Sequence, residues 1–144
     1  MKMRFAQIAP AALAVLVVPF LASCRGGLSS AHISAGESET IAQLRTLNRA
    51  EAAYSARHSH FACTLPELGS QFGLIDRELS YGEKGGYYFN IECATHSGVS
   101  SYQVWATPIN TSITSSHFFC IDEAGAVRSA SHRMDDCGDA APVE

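Results

Sequence analysis

At 144 residues the chain has room for one domain, and its 47% hydrophobic content is weighted by an apolar N-terminus. The formal net charge is −4, and it becomes −6 once residues 1–23 are set aside, because they hold Lys2 and Arg4 but no acid. A weakly acidic product with scattered arginines lacks the basic patch that nucleic acid demands, so that class of partner is excluded.

Residues 1–23 read as a signal peptide. Lys2 and Arg4 form the charged start, and Ile8–Phe20 is an apolar run broken by Pro10 and Pro19, too short and too proline-marked for a membrane span. The run ends in Leu21-Ala22-Ser23-Cys24, which resembles a bacterial lipobox. That resemblance implies cleavage before Cys24 and a lipid on its side chain, making the membrane a partner. It also implies an exported product on the periplasmic or cell-surface face of a bacterial membrane. Five cysteines are odd in number; setting Cys24 aside leaves Cys63, Cys93, Cys120 and Cys137, an even set suited to two disulfides in an export context. Four cysteines allow three connectivities. No CxxC spacing occurs, which argues against zinc-ribbon and thioredoxin-like chemistry.

Residues 24–36 are small and polar and read as a flexible tether to a domain over 37–144. The domain opens on the only long helix signal outside the N-terminal run, Glu37–Arg57. Ile41, Leu44, Leu47, Ala52 and Tyr54 fall on one arc at 100° per residue, with Arg45, Arg49 and Arg57 at its flank or behind. Ser34 and Glu37 have capping-box spacing, and Ser38 is an alternative cap. Asn48, Glu51 and Ser55 interrupt the arc. They are expected to lie at its rim or to bond backbone of the next element; a recognition face is the other reading.

Beyond His58-Ser59-His60 the elements are short. Thr64 caps a single turn begun at Leu65-Pro66 and stopped by Gly69, and residues 73–79 form a second short helix or turn. Tyr81–Gly86, with three glycines, reads as a loop. The period then changes to two. Tyr87, Phe89, Ile91 and Cys93 alternate with Tyr88, Asn90 and Glu92 in a first strand; Tyr102, Val104 and Ala106 alternate with Gln103, Trp105 and Thr107 in a second, stopped by Pro108. His117–Ile121 is a third strand and Ala126–Arg128 a short fourth, with polar connections at 95–100 and 110–116. The tail from Ser129 is polar, and Cys137 ties it down. Short connections favour an antiparallel meander with one face on the helix. The expected fold is therefore α+β, with one long helix on three to four strands.

In this order the segments at 41–56, 61–69, 73–80, 82–91, 102–108 and 117–128 resemble the globular part of type IV pilin-like proteins, close to the short ones of acidobacteria. The resemblance spans roughly Ile41–Arg128 and implies a helix laid across an antiparallel sheet. Within that frame the favoured disulfides are Cys63–Cys93 and Cys120–Cys137, the second fastening the C-terminal segment to the sheet as pilins commonly do. The alternative is Cys93–Cys120 with Cys63–Cys137. The N-terminus departs from the family. Pilins carry a glycine before the cleavage point, an acidic residue just after it, and an unbroken apolar helix. Residues 1–23 have no such glycine and no acid, and cleavage at Cys24 would discard the apolar run.

Candidate chemistry is sparse. His58 and His60 stand two apart near a helix end, with His32, His96, His117 and His132 elsewhere; no spacing assembles a ligand set. Asp122, Glu123, Asp135, Asp136 and Asp139 offer oxygens to a hard cation but lack EF-hand spacing and read as a solvated turn and tail. No Gly-x-Ser-x-Gly elbow is present. No metal, cofactor or small-molecule substrate is called for. Tyr88 and Trp105 sit on the strand face opposite the core, where aromatic residues suit a protein partner. The expectation is a non-enzymatic, lipid-anchored envelope protein with a structural or interaction role and an envelope protein as partner. The alternatives are a minor pilin or pseudopilin subunit of a pilus or secretion machine, and a small envelope metal binder or enzyme.

Overall fold

A computed structural model describes residues 34–96, 99–110 and 117–143. The signal-peptide reading of residues 1–23, the lipid site Cys24, most of the tether, and parts of the connections at 95–100 and 110–116 lie outside the described residues.

Helix α1 covers Ala35–His58. It starts two residues before Glu37 because Ser34 caps it: the Ser34 hydroxyl accepts from Glu37 N, and the Glu37 carboxylate accepts from Ser34 N. The two groups satisfy each other's orphan donors. Ser59, at φ 62°, closes the other end in a left-handed turn. A π-helical turn at Glu67–Gln71 and the four-residue helix α2, Arg77–Ser80, follow. The expected stop at Gly69 is not made. Gly69 lies inside the π-turn, where a Cβ would meet the Ser80 Cβ at 2.2 Å, so the glycine serves close packing on α2 rather than chain reversal.

Among the described residues the sheet has six strands, not three or four: β1 Glu83–Lys84, β2 Tyr87–His96, β3 Val99–Pro108, β4 Phe118–Asp122, β5 Arg128–Ala130 and β6 Ala141–Pro142. They pair antiparallel in sequence order, a pure meander. The unexpected strands β1 and β6 are two residues each, too short for alternation to show in a sequence. β1 exists because Gly85 and Gly86 both take positive φ, 60° and 84°, and so turn the chain tightly back from Lys84 onto Tyr87. The fourth strand falls at Arg128–Ala130, two residues later than expected, because β5 pairs with Phe118–Cys120 and leaves Val127 to the core.

Helix α1 packs on one face of the sheet. Leu44, Leu47 and Ile41 meet Phe89, Ile91, Val104 and Phe119, and the two leucines are fully buried. Burying such side chains stabilises the fold by about 1.5–3 kcal/mol each. Ala52 does not belong to this face; it is exposed, and Ala50 is buried instead. The contact stripe is closed by polar residues, Glu37, Thr40 and Glu51, all buried, so apolar spacing alone placed its centre line slightly wrong. Among the described residues no helix is long and apolar enough to cross a membrane.

Candidate interaction surface

Two disulfides staple the domain: Cys63–Cys93, with Cα atoms 5.5 Å apart, and Cys120–Cys137, 5.7 Å apart. The first ties the segment after α1 to β2 and is exposed. The second lies fully buried and holds the C-terminal segment against the sheet face away from α1. Such bridges fit an oxidising, extracytoplasmic environment.

The polar residues that interrupt the helix stripe are spent on anchoring it. Asn48 Nδ2 donates to the Tyr102 hydroxyl at 2.7 Å and to the Asp122 carbonyl at 3.1 Å, joining α1 to β3 and β4. Ser55, by contrast, bonds only within the helix, to Ala52 O. Glu51 is completely buried; one carboxylate oxygen accepts from Ala62 N at 2.9 Å and the other has no partner. Burial pushes its pKa up to about 7, against the Ala62 N–H and with help from the nearby Glu67 charge. Burial likewise pushes the Tyr102 hydroxyl up to about 12.

One knot was not legible in the sequence. Glu37 is 2% exposed and its Oε1 accepts from both His117 N, at 3.0 Å, and His117 Nδ1, at 2.8 Å. Burial pushes the Glu37 carboxyl up, but the hydrogen bonds from Ser34 and His117 together outweigh it, and its pKa ends below the ordinary value. Tyr87 donates to the His117 carbonyl, so the start of α1, β2 and the entry to β4 are locked together. The separation of 80 residues between Glu37 and His117 left no local signal.

Among the described residues His58 and His60 are not gathered with further metal-ligating side chains. They join Tyr54 and Phe72 in an aromatic cluster, the Tyr54 and His58 rings 4.4 Å apart and the His58 and Phe72 rings 4.8 Å apart. Among the described residues no three His, Cys, Asp or Glu side chains gather as metal ligands. Asp122 instead accepts from Ala124 N in its turn, and Asp136 accepts from Gly138 N, starting the short 3-10 turn at Cys137–Asp139.

The outer sheet face carries the two aromatics singled out from alternation. Tyr88 is 51% exposed. Trp105 is half-buried, packed against Met134, Cys137 and Ala140 beneath the C-terminal segment. Beside it the sheet and that segment enclose a cleft of about 190 Å³. Arg133 and Asp135 in its lining come from the tail, where the sequence marked Asp135 only as a possible oxygen ligand for a hard cation and did not mark Arg133.

The fold is thus an α+β domain with one antiparallel six-stranded sheet and two disulfides. No protein-family model, curated protein or solved structure matches the chain.

Proposed function

We propose that this protein is a non-enzymatic, lipid-anchored cell-envelope protein whose pilin-like domain has a structural or protein-interaction role. The observation that carries this reading is the layering of the domain. Helix α1 lies on one face of an antiparallel meander, and Cys120–Cys137 fastens the C-terminal segment to the other. The resemblance implies that arrangement, and disulfides suit a protein outside the cytoplasm. Leu21-Ala22-Ser23-Cys24 supplies the anchor. A lipid on Cys24 leaves residues 25–33 between the membrane and the helix cap at Ser34, a reach of at most about 30 Å when extended. The domain would therefore work close to the membrane, with the outer face around Tyr88 open to a partner. Loss of the apolar run at cleavage removes the part with which a pilin polymerises, so the domain acts as a tethered module and not as a filament subunit.

Mass spectrometry of the mature N-terminus, purified from membranes, tests this. The expected product begins at Cys24 and carries a diacylglyceryl group that the Cys24→Ala variant lacks. A mature chain without lipid, or one retaining residues 5–20, overturns it.

A further inference from the structure

The outer sheet face is built in cross-strand rows. Asn90, Trp105 and Cys120 stand in one row, Tyr88 and Thr107 in the next, and Glu92 and Gln103 on the other side. The Cys120–Cys137 bridge draws the C-terminal segment across this face, and the cleft of about 190 Å³ opens where the segment passes Trp105. Its walls combine two chemistries. Trp105 and Phe118 supply flat apolar surface; Asn90, Glu92, Arg133 and Asp135 supply planar polar groups. Most of that polar capacity is unspent. Asn90 Nδ2 reaches only Glu92 Oε1, at 3.4 Å, and Arg133 and Asp135 are exposed with no hydrogen bond or ion pair to another described residue. The Trp105 Nε1–H is buried without an acceptor.

We infer that this cleft is a binding site for a neutral saccharide. A sugar ring offers an apolar C–H face to an aromatic side chain and a rim of hydroxyls that both donate and accept. Adjacent hydroxyls match the paired atoms of amide, carboxylate and guanidinium groups. Two carboxylates, Glu92 and Asp135, line the cleft with the single cation Arg133, so an anion is disfavoured, while a neutral ligand rich in both donors and acceptors can use all three groups without giving up its own hydration of a charge. The volume falls below the roughly 300–1,000 Å³ of sites for drug-sized ligands and suits a single ring. The exposed Tyr88, beside the lining residue Thr107, extends the aromatic surface for a neighbouring sugar unit. This inference stands apart from the lipid anchor and the pilin resemblance; it rests on the cleft alone.

The chain has a single tryptophan, so its fluorescence reports on this cleft directly. The full chain, held in a polyoxyethylene detergent because maltoside detergents are themselves saccharides, is titrated with cellotriose, chitotriose and maltotriose. The expected result is a saturable change in Trp105 emission with at least one trisaccharide below about 10 mM. Asp135→Asn and Asn90→Ala are exposed substitutions that leave the circular dichroism spectrum unchanged, and each should weaken binding about tenfold. No saturable change with any of the three sugars overturns the inference. So does a change that both variants retain at full affinity, or one reproduced only by charged tripeptides.

Discussion

Glu51 makes the most demanding test of the fold. Its carboxyl is completely buried, has one hydrogen-bond donor, and leaves one oxygen unpaired. The unfolded chain releases this proton near 4.5 and the folded protein near 7. Between those values the native state holds more protons than the unfolded state, so stability must fall as pH rises through the window and level off above it. The shift corresponds to a loss of about 3 kcal/mol between about pH 4.5 and about pH 8, at roughly 1.4 kcal/mol per pH unit. Glu51→Gln keeps an oxygen for Ala62 N–H and removes the ionisation. It also places an amide N–H where the unpaired oxygen was, which costs about 1–3 kcal/mol at every pH. The informative quantity is therefore the slope and not the absolute stability. Urea unfolding of the oxidised protein at about pH 5 and about pH 8 gives it directly. Wild type should lose on the order of 3 kcal/mol more than the variant over that interval, other titrating groups cancelling in the comparison. Parallel pH profiles would mean that Glu51 ionises in the folded protein as easily as in the unfolded chain, and the reasoning from burial would fail.

The Glu37 knot works in the opposite direction: its folded pKa is depressed, so its contribution is present above about pH 4.5 and lost as pH falls through the folded value. Glu37→Gln should cost about 1–3 kcal/mol near neutrality and flatten the acid side of the stability curve; an unchanged acid midpoint counts against the knot. Replacing either cysteine pair by alanine should cost about 3–4 kcal/mol by chain entropy, given separations of 30 and 17 residues. Only loss of the Cys120–Cys137 pair should also raise protease cleavage within residues 133–143, because that bridge is the covalent tie between the tail segment and β4 while Cys63–Cys93 lies elsewhere; equal cleavage of both variants speaks against this division. Leu44→Asp places a charge at a fully buried position and should abolish folding, so a soluble, normally oxidised product means that the buried face of α1 is misplaced.

Local chemistry was legible wherever partners lie close in the chain. The capping box at Ser34 and Glu37 is three residues wide, and the strand alternation of Tyr87–Cys93 and Tyr102–Thr107 gave the two faces of the central hairpin directly. The polar breaks at Asn48 and Glu51 announced backbone partners without saying which. Strands β1 and β6 were missed because two residues carry no period, and the π-turn because Gly69 signals a stop as readily as a close contact.

The sequence by itself determined the α+β class, the meander order and the even set of domain cysteines, since each follows from spacing within a short window. Tertiary structure alone decided which cysteines pair and what Glu37 and Glu51 face. It also brought Arg133 and Asp135 opposite Trp105, residues 28 and 30 positions apart in the chain. These juxtapositions depend on how the tail folds back over the outer sheet face and how α1 lies on the inner one. No period or local motif encodes contacts made across that distance.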